Sequence, residues 1–353
     1  MNNYEFNSIS FYQNLINQKT EKKIKKLPLN PKFSIIIYCI KFQFLEITLN
    51  SIQKQKFDNF EVILIYDNNE KSELNNINSL IKDYINIKLI NNKNKKGLFY
   101  SYITGILESK GEYILTIKSG YTLSTQSFLN DIEKKLDANV NILEFNLLIN
   151  NFETIKNNSL NLYKCSHFES EINVDSFLFN KNYKKIDQEK ELIVNKLIKS
   201  NLYKSIINKY KSFFIDNKIY NYFDELILFL FEKEKIQIKL INNLGIIEYS
   251  KIIKSFDLYS ENNYKKQLID DSINYINFLF NNTENEENTK GFVVNEFYNI
   301  LNIIYNNSNE ISEKEKQLIF KFLNCKYISN FEKNILKTYY NALINRKKYD
   351  LIK

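Results

Sequence analysis

The sequence predicts an α/β fold with a mostly parallel sheet flanked by helices, followed by a C-terminal helical region. Short, Ile-rich apolar runs recur between residues 32 and 149, and segments with apolar residues at helical spacing separate them. Strands that alternate with helices of this length form βαβ units, in which neighbouring strands run parallel. After residue 256 the apolar runs give way to amphipathic segments, which predicts helices.

The first strand is predicted at 32–40, where KFSIIIYCI is a continuous apolar run that follows the two prolines of the chain, Pro28 and Pro31. The alternation then predicts helices at 44–55, 72–84, 98–110 and 125–138, and strands at 60–67, 85–91, 112–118 and 140–149. Ser72 is expected to cap its helix, and Gly111 to end its own helix in a left-handed conformation. Helical patterns at 190–206 and 222–235 are followed by a strand at 236–243.

The length and composition allow a large core. The chain has 353 residues, of which 44% are hydrophobic, so a substantial apolar interior can form and disorder is excluded for most of the chain. The patterns predict three parts: a helical lead-in at 1–31, an α/β domain at 32–250 and a helical region at 251–353.

The net charge and the cysteine content indicate which classes of binding partner are expected. The net charge of +8 is dispersed and no aromatic-and-basic signature accompanies it, so nucleic acid is not an expected partner. One dense basic cluster, Lys19–Lys26, is either a solvated helix end or a contact with an anionic membrane surface. Three distant cysteines and a single histidine, His167, predict no zinc site. Without a signal-peptide pattern or a run of 18 apolar residues, the expected location is the cytoplasm, with peripheral contact at the inner membrane face as the alternative.

The predicted topology indicates where a site would lie. Ligands of parallel sheets bind beyond the carboxyl ends of the strands, which here means the loops at 38–44, 66–71, 91–97 and 118–125. Four of the six glycines fall between residues 97 and 120, in a chain that is otherwise poor in glycine. This clustering indicates tight turns or close backbone approach in that region.

Four segments of the chain carry a resemblance to a known family. Residues 48–67 read TLNSIQKQKFDNFEVILIYD, 92–114 read NKNKKGLFYSYITGILESKGEYI, 194–203 read VNKLIKSNLY and 222–231 read YFDELILFLF. In order and spacing they resemble family 2 of the glycosyltransferases, over about residues 32–245 and most strongly over 45–124. The resemblance implies a GT-A (Rossmann-like) domain, a nucleotide-sugar donor and a glycan acceptor.

The resemblance also implies which residues bind the donor. The family's paired acids, which hold the base and ribose, correspond to Tyr66 and Asp67, and its Asp-x-Asp motif to Lys118, Ser119 and a glycine. Tyr102 stands where the family has an arginine. From the residues alone, Asp67 is equally a turn-forming aspartate, and Lys118 a solvated lysine at a strand end.

On the acceptor side, the family's catalytic base corresponds to Asp224, while Phe223 occupies the place of the preceding glutamate. Asn195 and Glu225 are expected on the same side, next to the acceptor. The alternative for Asp224 and Glu225 is an ordinary pair of acids in the first turn of a helix.

The resemblance raises the question of whether a metal ion is bound. In the family two aspartates hold Mg²⁺ or Mn²⁺ against the donor diphosphate, and these usual ligands are absent here. Lys118 would supply a single positive charge in place of the ion, with Lys93, Lys95 and Lys96 as further cations. Two alternatives stay open: a Mg²⁺ or Mn²⁺ cofactor held without the usual aspartates, or metal-independent catalysis, which is expected to be weaker unless other cations help.

Three functions follow from these observations. The first is an inverting glycosyltransferase that acts on a cell-envelope or capsule glycan, with Asp224 as its base. The second is a catalytically inactive pseudo-glycosyltransferase that serves as a partner or scaffold for an active glycosyltransferase. The third is a glycan-binding module that retains only the acceptor side.

Overall fold

The computed structural model describes residues 28–39, 42–82, 86–92, 96–150, 162–164, 172–174, 193–211, 213, 223–249, 261–282, 293, 296–297, 300, 313–324, 333–334, 337–338 and 341. The predicted lead-in up to residue 27, with its basic cluster Lys19–Lys26, lies outside these residues, as do Lys93, Lys95 and His167. No helix in the described ranges is both long and apolar enough to cross a bilayer.

Strands and helices alternate over the first half of the chain, as the sequence predicts. The strands are β1 (Phe33–Cys39), β2 (Phe60–Tyr66), β3 (Ile87–Asn91), β4 (Tyr113–Lys118), β5 (Tyr121–Leu123), β6 (Ile142–Asn150), β7 (Leu162–Lys164), β8 (Ile172–Val174), β9 (Lys196–Lys199) and β10 (Ile238–Tyr249). The helices are α1 (Leu45–Gln53), α2 (Lys71–Ile81), α3 (Gly97–Glu108), α4 (Phe128–Glu133), α5 (Ser200–Lys209), α6 (Phe223–Lys233), α7 (Glu261–Asn282) and α8 (Glu313–Leu323).

The strands form one sheet in the order β3-β2-β1-β4-β9-β6-β10-β5, with β7 beside β6 and β8 beside β10. β3, β2, β1 and β4 run parallel, so their carboxyl ends meet at one edge. We call this the carboxyl edge. Beyond β4 the sheet is mixed, because β9 runs antiparallel to both β4 and β6. The predicted α/β class is thus confirmed, and the parallel arrangement holds for the strands that border the predicted site.

Three local predictions are wrong. Residues 196–199 form strand β9 within a stretch predicted as helix, because Leu197 and Ile198 are buried between β4 and β6. Ser72 does not cap α2, since the helix already begins at Lys71. Gly111 lacks a left-handed conformation, and close packing is the reason for a glycine there: a Cβ would lie 2.5 Å from the Ser34 backbone nitrogen.

The two faces of the parallel strands pack against different helices. Side chains alternate along a strand, so Ile35, Ile37 and Cys39 of β1 point to the face covered by α1 and α2. Ile36 and Tyr38 point to the other face, where Gly105 lets α3 approach: a Cβ there would lie 2.6 Å from Ile36 Cγ2. We call the side covered by α3 the front face and the side covered by α1 and α2 the back face.

The described residues fall into two compact units. One lies within Met1–Lys218 and Phe223–Phe256 and contains the sheet with α1–α6; the other lies within Ile219–Tyr222 and Asp257–Lys353 and contains α7 and α8. The second unit has its own buried side chains, including Tyr275, Ile276 and Leu279 on α7. All the predicted site residues belong to the first unit. The predicted division at 31 and 250 remains a prediction.

Candidate functional site

Asp67 follows β2 at the carboxyl edge and holds the start of α3. Its carboxylate accepts hydrogen bonds from the backbone N–H groups of Lys96 (2.9 Å) and Gly97 (2.7 Å). The Tyr38 hydroxyl donates to the same carboxylate at 3.3 Å. Gly97 has a φ of 83°, a left-handed conformation that glycine adopts without a steric penalty. The negative charge of Asp67 therefore stabilises the N-terminus of α3. The predicted contact of Asp67 with a nucleotide remains a prediction.

Lys118 reaches the front face at the same edge. It is the last residue of β4 and is paired in parallel register with Tyr38 of β1, so both side chains point to one face. The Tyr38 ring lies 6.1 Å from the ring of Tyr102 on α3. The structure therefore brings together two of the predicted donor-side residues, Lys118 and Tyr102, around Tyr38.

The turn after Lys118 needs a glycine. Gly120 has a φ of 99°, and its backbone N–H donates to Thr48 Oγ1 at 2.9 Å. Any other residue in this left-handed conformation is strained, so an aspartate at position 120 would require the turn to change.

Two predicted donor-side residues point to the back face instead. Tyr66 is fully buried in the core with α1 and α2, and its hydroxyl donates to Glu73 Oε2 at 2.9 Å. Burial, with the Glu73 hydrogen bond and charge, raises the pKa of Tyr66. Ser119 is buried beside Cys39, whose pKa rises to about 12 mainly through burial, partly offset by a hydrogen bond with Ser119. Nucleotide contact by Tyr66 or Ser119 remains a prediction, and both side chains lie on the opposite side of the sheet from Lys118.

Four aromatic side chains fill the space between β1, α3 and α6. We call Tyr38, Phe99, Tyr102 and Phe223 the aromatic cluster. The Phe223 ring lies 5.2 Å from that of Tyr102, and 5.0 Å from that of Phe99 in an edge-to-face arrangement. These are favourable geometries for aromatic pairs. All four side chains are at most 5% exposed, so the cluster fixes the first turn of α6 against α3.

Asp224 and Glu225 follow Phe223 in the first turn of α6 and are both partly exposed. Burial raises the pKa of Tyr203 on α5 well above its ordinary value, and the negative charge of Asp224 raises this pKa further. The Tyr203 hydroxyl lies near Thr116 of β4, which points to the front face like Lys118, two residues later. Asp224 and Lys118 are therefore on the same side of the sheet.

Asn195 belongs to a buried polar network. Its amide nitrogen donates to Glu144 Oε1 (3.2 Å) and to the Phe145 carbonyl (3.0 Å), while its amide oxygen accepts from Lys196 Nζ (3.1 Å). Lys196 Nζ also lies 3.0 Å from Glu144 Oε2, and both charged side chains are fully buried. Asn195 thus joins β6 to β9, and its predicted contact with an acceptor remains a prediction.

The strand end at 118–120 does not fit a divalent metal. It presents an ammonium group, a hydroxyl and a glycine, whereas Mg²⁺ and Mn²⁺ require several oxygen ligands, usually including carboxylates. Elsewhere within the described ranges, no three His, Cys, Asp or Glu side chains are grouped as a metal site would need.

Sequence reasoning missed several residues at the site. Tyr38, Phe99 and the Glu144–Lys196 pair were not singled out as functional. Lys196 had a signal, because a lysine inside the apolar segment VNKLI requires a buried partner. Tyr38 and Phe99 had none, since aromatic residues make up 15% of the chain. Lys96, predicted as a phosphate contact, places its ammonium group 4.2 Å from the centre of the Tyr100 ring.

Comparisons with known proteins bear on the family and the fold. Residues 34–164 match the family described as Glycosyl transferase family 2. Crystal structures of S. aureus TarS 1-349 alone, with UDP and with UDP-GlcNAc superpose with TM-scores of 0.54, 0.55 and 0.56, at 14% identity. Each match covers 90% of this chain and 89% of the TarS chain. This chain spans 54% of a longer TarS structure. No curated protein matches the sequence. The fold is that of GT-A glycosyltransferase structures.

Proposed function

We propose that this chain transfers a sugar from a nucleotide-sugar donor to a hydroxyl group of a glycan acceptor, because residues 34–164 match the family described as Glycosyl transferase family 2. The observation that carries the proposal is that Asp224 and Lys118 lie on the same side of the sheet. A carboxylate for the acceptor and a cation for the donor are thus available on the same side.

The chemistry is a single displacement with inversion at the sugar. Asp224 takes the proton of the acceptor hydroxyl, and the acceptor oxygen forms a bond to the anomeric carbon. The bond from that carbon to the diphosphate oxygen breaks, and the nucleotide diphosphate leaves with the electron pair. Lys118 lies on the donor side and stabilises the negative charge on the leaving group. Lys118 alone carries half the charge of a divalent ion and cannot clamp two phosphates, so the reaction is expected to be slow and independent of Mn²⁺.

UDP-sugars are the donors to test first. The TarS structures of the same fold contain UDP and UDP-GlcNAc, which supports a uridine nucleotide here. Asp67, at the carboxyl edge, is the proposed nucleotide contact. We further propose an acceptor in a cell-envelope or capsule glycan and a cytoplasmic location, with Lys19–Lys26 contacting the inner face of the membrane.

Calorimetric titration with UDP and UDP-GlcNAc, with and without Mn²⁺, tests the donor site. Binding that does not depend on Mn²⁺ supports the proposal. Asp224→Asn should then abolish turnover of a bound UDP-sugar while leaving its dissociation constant within about twofold. Asp131→Asn is the matched control, because Asp131 is also a first-turn acid but accepts a hydrogen bond from its own helix cap, Ser127. Undiminished turnover in Asp224→Asn would exclude Asp224 as the base.

A catalytically inactive role is the second candidate, as a partner of an active glycosyltransferase or as a glycan-binding module. It is favoured by the burial of Tyr66 and by the aromatic cluster, in which Tyr102 and Phe223 are packed against each other. Absence of UDP binding at millimolar concentration would support this role. Binding to a glycan array without nucleotide would then separate the glycan-binding module from the scaffold.

A further inference from the structure

Asp67 and Asp224 are connected through α3. The Asp67 carboxylate accepts hydrogen bonds from the backbone N–H groups of Lys96, the N-cap residue of this helix, and of Gly97, its first residue. Two and five residues beyond Gly97, Phe99 and Tyr102 contact the ring of Phe223. Asp224 is the next residue after Phe223, so the connection consists of hydrogen bonds to the start of α3, the backbone of that helix, ring contacts and one covalent neighbour.

A second connection runs through Tyr38. Its hydroxyl donates to Asp67 Oδ2 at 3.3 Å, and its ring lies 6.1 Å from Tyr102. The two routes converge on Tyr102 and Phe223, which are 3% and 1% exposed. Because close-packed interiors are nearly incompressible and transmit strain, we expect a shift of Asp67 to displace these rings.

We propose that Tyr102 and Phe223 are positioning residues that couple the state of Asp67 to the placement of the Asp224 carboxylate. A nucleotide that engages Asp67 would move the start of α3, and the aromatic cluster would carry this movement to the first turn of α6. The proposal rests on the proposed function for the roles of Asp67 and Asp224. It assigns Tyr102 to the alignment of the acceptor-side acid, instead of to contact with the nucleotide.

A fluorine label tests the connection without any ligand. Phe223 is replaced by 4-fluorophenylalanine, which changes the ring volume little, and its ¹⁹F resonance is recorded in the full chain. Asp67→Ala is expected to shift this resonance. Glu73→Ala is the matched control, because it removes a carboxylate on the back face, bound to Tyr66. If the ¹⁹F chemical shift does not change in Asp67→Ala, or changes equally in Glu73→Ala, the proposed coupling is wrong.

Titration with UDP then tests whether nucleotide binding changes the environment of Phe223. The label at position 223 should shift as UDP binds, whereas the same label at Phe57 should not, since Phe57 packs against Phe33 at the start of β1. UDP binding seen by calorimetry without a change at position 223 would refute the coupling. Absence of UDP binding would instead refute the proposed donor, and the ligand-free comparison would still decide whether Asp67 and Phe223 are connected.

Kinetics distinguish positioning from nucleotide contact. With UDP-GlcNAc as the probe, Tyr102→Leu should lower kcat about tenfold to a hundredfold with little change in KM, because small misplacements of a catalytic group are costly. Tyr102→Phe preserves the ring contacts and should regain most of that loss. Phe57→Leu controls for the loss of a buried aromatic pair and should leave kcat unchanged. A raised KM with normal kcat in Tyr102→Leu would identify Tyr102 as a nucleotide contact and overturn the proposal.

Discussion

Substitution of Lys196 by methionine should be one of the most destabilising single changes in the sheet. The substitution removes the ammonium group that lies 3.0 Å from Glu144 Oε2, and both side chains of the pair are fully buried. The Glu144 carboxylate would keep the hydrogen bond from the Asn195 amide, at 3.2 Å, but would lose its counter-charge. Removing one partner of a buried ion pair costs about 3–5 kcal/mol, because the remaining charge stays desolvated.

The double variant Glu144→Gln, Lys196→Met should recover most of this loss. A glutamine retains an amide oxygen for the Asn195 hydrogen bond and carries no charge, and methionine matches the volume of the lysine stem. The double variant is therefore expected within about 1 kcal/mol of the parent protein. Such recovery would show that the single variant suffers from an uncompensated charge, with little contribution from lost packing.

Urea unfolding followed by near-UV circular dichroism of the tyrosines measures these changes. Lys88→Met is the matched control, since Lys88 and Glu108 lie only 2.6 Å apart but their side chains are about half exposed, at 53% and 52%. Solvent screens such a pair, so the same substitution should cost less than about 1 kcal/mol. If Lys196→Met costs no more than Lys88→Met, the argument from burial is wrong.

Three further predictions concern the site and its supporting core. Lys118→Ala should weaken UDP binding about tenfold and leave uridine binding unchanged, because the lost charge acts on phosphate; calorimetry with both ligands checks this, and an equal loss for uridine would contradict it. In a variant whose other two cysteines are serine, the Cys39 thiol should react slowly with a disulfide reagent at pH 8, since its folded pKa is about 12, and rapidly in urea. The same shift should make stability fall as the pH rises from 9.0, the ordinary pKa, towards 12. Gly245→Ala should destabilise the protein by about 1–3 kcal/mol or more, because its Cβ would lie 2.0 Å from Phe145 Cδ2; an unchanged urea midpoint would contradict this.

The order of elements up to β4 was predictable because the periodicity of apolar residues is local, whereas the short strand β5 was not predicted. Leu45, Leu49 and Ile52 are spaced for one helix face and are buried as that spacing predicts. Strand β9 was not predictable in this way. Its four residues lie within the stretch 190–206, which has helical spacing, and they form a strand because they pair with β4 on one side and β6 on the other.

The sequence by itself determined that Tyr66, Asp67, Lys118 and Ser119 stand where parallel strands end, because apolar runs end there. Which of them share a side was decided by tertiary structure. Side chains point alternately to the two faces along a strand. The helices that cover each face determine which of the two alternating sets is buried in the core. Tyr66 and Ser119 therefore join the packed back face, while Lys118 points to the front.

Asp224 shows the same division between local sequence and tertiary structure. Its position in the first turn of a helix was evident from the apolar run that follows it. Its location on the side of Lys118 depends on the ring of Phe223 packing against Phe99 and Tyr102, which are more than 120 residues earlier in the chain. A contact of that kind has no local signal, because it is the packing of whole helices on the sheet that creates it.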